Sequence, residues 1–209
     1  PLFTNGRLTA GDSGTLTRVP KSEVYAVIES DLNSAISALP AQKSTDGRAT
    51  SFTAHALLGK VYLYQQKYAE AANILEPLVG LYTLPSDPGS VFLVSGENGP
   101  EAVFEIQHSK ESNGWNWGWM PQSTEGNFGV IHHGIRGYSG PTYSSGWSFN
   151  VPTDEFHKAF RSDDKRRDAS ILDIVKWADD NQADYQEGYE HTGYFNNKYI
   201  PRQGYSKNT

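Results

Sequence analysis

Residues 54–75 read Ala-His-Ala-Leu-Leu-Gly-Lys-Val-Tyr-Leu-Tyr-Gln-Gln-Lys-Tyr-Ala-Glu-Ala-Ala-Asn-Ile-Leu, and their pattern decides the fold. Ala54, Leu57, Leu58, Val61 and Tyr62 recur at three- and four-residue steps, the stripe of an amphipathic helix over about 51–65. A second stripe, Ala71, Ala72, Leu75 and Leu78, predicts a helix over about 68–79 that Pro77 bends or ends. Helices joined by so short a turn must run antiparallel, and the small residues Gly59, Ala71 and Ala72 let their backbones approach closely. Upstream, Val24, Tyr25, Ile28, Leu32, Ala35, Ile36 and Leu39 predict a further helix, with Ser22 as N-cap, Glu23 in its first turn and Pro40 as its stop. The segment 43–48 is a polar connection.

The run Leu58-Gly59-x-x-Tyr62, followed by Tyr68, Ala71 and Leu75, resembles the tetratricopeptide pattern. No second clean copy occurs. A single such repeat cannot bury its own apolar face, so neighbouring helices must be supplied from elsewhere. The fold class expected is therefore mainly α: a tetratricopeptide-like helical repeat (alpha-alpha superhelix) scaffold with small β elements and long irregular loops. The helical part occupies 1–85, and a loop-rich part with short strands occupies 86–209, the whole 1–209 forming one piece. Within the second part, residues 102–107 alternate as a strand, 153–160 read as a helix capped by Thr153, and 171–175 and 198–200 are strand candidates.

Composition narrows the chemistry. The 209 residues carry 18 Lys+Arg and 24 Asp+Glu, a formal charge of −6, which argues against nucleic acid as a partner. There is no cysteine, hence no disulfide, thiolate nucleophile or Cys-based metal site. No apolar run approaches the ~20 residues of a membrane span. The chain starts at Pro1 without an initiator Met and stops at Thr209 without a closing element, the pattern of a piece of a longer protein.

Residues 111–150 stand apart. They hold eight aromatic residues and eight of the 20 glycines but only three charges, Glu111, Glu125 and Arg136. Trp115, Trp117 and Trp119 fall within five residues, and Tyr138, Tyr143 and Trp147 follow. Indole and phenol faces match the flat C–H face of a pyranose ring. Asn116, Asn127 and Arg136 can hydrogen-bond sugar hydroxyls. Two arrangements remain open: the rings fold inward as the loop's own core, or they form a platform. In an extended strand the three indoles would share one face, which favours the platform.

Other chemistries have thinner support. The carboxylate pairs Asp163-Asp164, Asp179-Asp180 and Glu187/Glu190 lie in polar loops and read as caps and solvated charges, not as a glycosidase pair. His132-His133 lack the i, i+4 spacing of two metal ligands on one helix face. His55 and His157 are placed on helices at core edges. Neither a nucleophile elbow nor a phosphate-cradling loop is present. We therefore assign no catalytic residue, no metal site and no cofactor.

The ordered set of stretches resembles the SusD/RagB family, the glycan-binding lipoproteins of Bacteroidetes outer membranes. The matching residues are Arg18-Val19-Pro20, Val24-Tyr25, Asp31-Leu32, Leu39-Pro40, Arg48-Ala49-Thr50, the helix pair around Leu58-Gly59, and the strand Glu101-Ala102-Val103-Phe104-Glu105-Ile106. Gly146-Trp147, Pro152-Thr153, Phe156, Phe160, Asp163-Asp164, Arg166-Arg167 and Lys198-Tyr199 continue the match. The resemblance implies non-catalytic capture of an oligosaccharide at the cell surface. It further implies delivery to a SusC-like TonB-dependent transporter, with a lipid anchor outside this piece as the link to the membrane. It makes Trp147 and Thr153 structural positions and leaves Trp115, Trp117, Trp119, Tyr138 and Tyr143 as stacking residues in the variable loop. Two alternatives stand beside it: a tetratricopeptide-type protein–protein scaffold and a glycoside hydrolase fragment.

Overall fold

The computed structural model describes residues 2–4, 6–15, 17–42, 45–107, 129–188 and 190–204. The chain divides into two compact units, Pro1–Thr83 with Glu101–Glu105 and Leu84–Pro100 with Ile106–Thr209. Among the described residues the architecture is mainly helical with one small two-stranded sheet, and no helix is long and apolar enough to cross a membrane.

The first unit is built from α1 (Lys21–Ala38), α2 (Ser51–Tyr64) and α3 (Tyr68–Leu75), with α2 packed against both of the others. Thr50 starts α2 with a reciprocal cap: its hydroxyl accepts from the Thr53 amide at 3.2 Å, and the Thr53 hydroxyl accepts from the Thr50 amide at 3.1 Å. Leu58 is wholly buried, and Ala54 and Ala71 of the same unit are buried too. The expected close approach is present, because a Cβ added at Gly59 would lie 2.6 Å from the Leu75 side chain. Pro77 lies in a 3-10 turn, Glu76–Leu78, that ends α3.

Several local expectations change. α1 starts at Lys21 behind Pro20, not behind a Ser22 cap; the proline ring fixes φ at −54°, which suits entry to a helix without a side-chain cap. Leu57 is half exposed, not part of the buried stripe, and Leu63, Tyr64, Tyr68 and Val79 are exposed too. A lone helix pair cannot cover both of its sides. Residues 102–107 form no strand; the Val103 carbonyl accepts from the Thr53 hydroxyl at 3.4 Å instead of joining a ladder.

Glu29 of α1 ties that helix to the α2–α3 turn. Its Oε1 accepts from Gln65 Nε2 at 2.7 Å and from Lys67 Nζ at 2.6 Å. The Lys67 hydrogen bond holds the Glu29 carboxyl below its ordinary value, against the opposing pull of burial. A carboxylate depressed in the folded state contributes stability that is complete above its unfolded pKa and disappears as pH falls through the folded one. Glu29→Gln is therefore expected to lower the thermal midpoint at pH 7, with the gap to the parent closing in the acid range, as pH falls through the lowered folded value. A gap that stays constant across that range would contradict the assignment.

The second unit carries α4 (Gly129–His133), α5 (Asp154–Ala159), α6 (Lys165–Ser170), β1 (Ile171–Asp173), α7 (Ile174–Asn181) and β2 (Tyr194–Asn196). Thr153 caps α5 as expected, accepting from the Phe156 amide at 3.2 Å. Of the strand expected over 171–175, only the first three residues are extended. Asp173 caps the next helix by accepting from the Lys176 amide at 3.0 Å, so Ile174 and Val175 open α7. The partner strand is residues 194–196, not 198–200; it runs antiparallel with Leu172 opposite Phe195. The core of this unit is Ile135, Tyr138, Tyr143, Leu172, Ile174, Phe195 and Ile200, with Val151, Trp177, Ala183 and Tyr185 packed against it.

Candidate functional site

Trp115, Asn116, Trp117, Trp119 and Asn127 lie outside the described residues. Of the expected site residues, Tyr138, Tyr143 and Arg136 are placed. The two tyrosines belong to the core, with 8% and 5% of their surface exposed, so neither offers an open ring face. Inward packing wins here because both phenols find polar partners. Tyr138 Oη donates to the Pro141 carbonyl at 2.6 Å and accepts from Trp177 Nε1 at 2.9 Å. The Tyr143 hydroxyl meets Asn197 Oδ1 at 3.4 Å, the Arg202 guanidinium lies 5.7 Å from its ring centre, and burial raises its pKa. Tyr138 packs edge-on against Tyr143, and Tyr143 against Trp177, at 5.9 and 5.0 Å between ring centres.

The same core anchors a second aromatic group nearer the surface. At Gly134 and Gly146 two backbones cross: a Cβ at Gly146 would lie 2.3 Å from the Gly134 Cα and 2.5 Å from the Ile131 carbonyl oxygen. Only glycine fits both positions. Across this contact residues 146–149 pair with the end of α4. The amides of Gly146, Trp147, Ser148 and Phe149 donate to the carbonyls of Ile135, Ile131, Gly134 and His132 at 2.7–2.9 Å. The result brings His132, Trp147 and Phe149 together, with ring centres 4.9 Å (His132–Trp147) and 6.0 Å (the other two pairs) apart. Arg136 is exposed; its Nη2 donates to the Trp147 carbonyl at 2.7 Å, and its amide donates to Ser148 Oγ at 2.9 Å. Arg136 thus joins the Trp147–Phe149 group and not the two tyrosines.

The carboxylates have other duties. Asp163 pairs with Arg161 at 2.9 and 3.0 Å. Asp164 caps α6 and takes the Arg166 guanidinium, which holds its carboxyl down at about 2, far from the range of a general acid at neutral pH. Asp180 is paired with Lys176 one helical turn away. His133 Nδ1 bonds the Gly129 carbonyl at 2.8 Å, and His157 stacks on Tyr194 at 4.6 Å. His55 Nδ1 bonds the Ser51 carbonyl at 2.8 Å.

The chain is SusD-like in both sequence and fold. That agrees with the SusD/RagB resemblance of its sequence. Among solved structures, a laminarin binding SusD-like protein matches with a TM-score of 0.77 and 38% identity, over 88% of this chain and 43% of that one. Surface glycan-binding protein A from Bacteroides fluxus matches with a TM-score of 0.72 and 26% identity, over 88% and 40%. A curated relative, SusD-like protein P2 of Formosa agariphila, is 28% identical over 170 residues, which are 78% of this chain and 32% of that protein. The chain therefore spans about a third of the curated relative and less than half of the solved ones. No protein-family model matches it.

Proposed function

We propose that this chain is part of a surface glycan-binding protein that captures a neutral oligosaccharide by stacking aromatic side chains on its sugar rings, without chemical conversion. The observation that carries the reading is its likeness, at 38% identity, to a protein named for laminarin binding, combined with a charge-poor block holding eight aromatic residues. Laminarin is a neutral glucan, so its recognition calls for flat apolar faces and hydrogen bonds rather than ion pairs. Trp115, Trp117 and Trp119 supply the stacking faces, with Asn116, Asn127 and Arg136 as polar partners. In the longer protein a lipid anchor holds the binding face at the outer membrane, and the captured glycan passes to a SusC-like TonB-dependent transporter.

On an array of neutral and acidic glycans the chain is expected to be retained by neutral β-glucans. Retention by acidic glycans alone, or by none, would overturn the proposal.

A further inference from the structure

Residues 84–100 belong to the second unit but contribute nothing to its core. They fold on themselves. The amides of Ser90, Phe92, Leu93, Gly96, Glu97 and Gly99 donate to the carbonyls of Asp87, Gly89, Ser90, Leu93, Val94 and Gly96 at 2.8–3.2 Å, building 3-10 turns at Ser90–Phe92 and Val94–Gly96. The Asp87 side chain closes the start by accepting from the Gly89 amide at 2.9 Å. A Cβ at Gly96 would lie 2.2 Å from the Ser90 carbonyl oxygen and 2.9 Å from the Val91 Cα, so the two turns press backbone to backbone. Among the described residues, no backbone group of this segment pairs with backbone elsewhere. A loop whose hydrogen bonds are all its own can leave its seat without losing its shape.

Among the described residues, side chains hold the segment down, and Phe92 is the anchor. Lys198 Nζ lies 4.7 Å from the centre of its ring, and Tyr199 meets that ring edge-on at 75°, with 5.9 Å between centres. Gly89 rests on α6, where a Cβ added to it would come 3.4 Å from the Ala169 Cβ. Lys165 Nζ donates to the Ser86 carbonyl at 3.4 Å, and Asn98 and Gln107 exchange amide hydrogen bonds at 3.1 and 3.3 Å. Tyr199, Leu93 and Val94 are exposed, so this contact lies at the surface.

We infer that residues 84–100 are a lid that opens as one body about its ends near Pro85 and Pro100, withdrawing Phe92 from Lys198 and Tyr199 while the core stays folded. Opening uncovers Ala169 of α6, Lys198 and one side of Tyr199, whose ring also meets that of His133 in α4 at 6.2 Å. Such a lid operates whatever ligand the protein takes.

The chain has no cysteine, so a single introduced thiol reports on one place. A169C and, from the lid's own side, G89C put a thiol in the covered contact, and I174C puts one at a wholly buried core position. Reaction with dithiobis-nitrobenzoate is followed on the full 209-residue chain at urea concentrations below the unfolding transition. I174C is expected to react only as the unit unfolds, with a rate that rises steeply with urea. The lid thiols should react faster than I174C without urea and respond weakly to it, because opening exposes little surface. F92A should speed the lid thiols about five- to tenfold, and K198M, which keeps the stem and loses the cation, about two- to threefold. A urea dependence equal to that of I174C would mean a segment that leaves only on unfolding. Rates that F92A and K198M leave unchanged would mean a contact that is open from the start. Either result overturns the lid.

Discussion

Gly146→Ala is expected to lower the thermal midpoint by roughly 6–12 °C and to disrupt the packing of residues 146–149 against the end of α4. The added methyl would meet the Gly134 Cα at 2.3 Å and the Ile131 carbonyl oxygen at 2.5 Å. Both are backbone atoms, so no side chain can rotate away to make room. Overpacking against a rigid wall costs about 3 kcal/mol, at the upper end of what an inserted methyl usually does. The four hydrogen bonds that follow the crossing would separate with it. Gly59→Ala is the instructive contrast. There the methyl meets the Leu75 side chain, whose tip is partly exposed and able to move, so the loss should be clearly smaller. Calorimetric melting of the two variants checks both claims, and equal losses would contradict the distinction between a backbone wall and a flexible one.

The second large effect concerns binding. Replacing Trp115, Trp117 and Trp119 together by alanine is expected to reduce laminarin affinity by at least a hundredfold. One ring contributes on the order of 1 kcal/mol beyond its buried area, so three contribute about 3 kcal/mol, and each 1.4 kcal/mol is about tenfold in affinity.

The helical half of the fold was legible because a 3.6-residue period leaves a mark on every turn: Leu58, Gly59 and Ala71 are buried where the spacing put them. Ends were less legible. Pro20 begins α1 by fixing its own backbone, which leaves no side-chain signature of the kind Ser22 offered. The short strand at 194–196 escaped because three residues carry too little alternation, and its position is set by the pairing of Phe195 with Leu172 across the unit. Tyr138 and Tyr143 mark the harder limit. A tyrosine in a Gly-rich loop reads the same whether its ring faces a ligand or a core, and the decision depends on Pro141, Trp177 and Asn197, residues up to 54 positions away.

The most direct test of the account is a calorimetric titration of laminarin into the 209-residue chain and into its W115A/W117A/W119A variant. The parent is expected to bind with a micromolar-to-millimolar dissociation constant, and the variant to give no measurable heat at the same concentrations. Undiminished binding by the variant, or no binding by the parent, would contradict it.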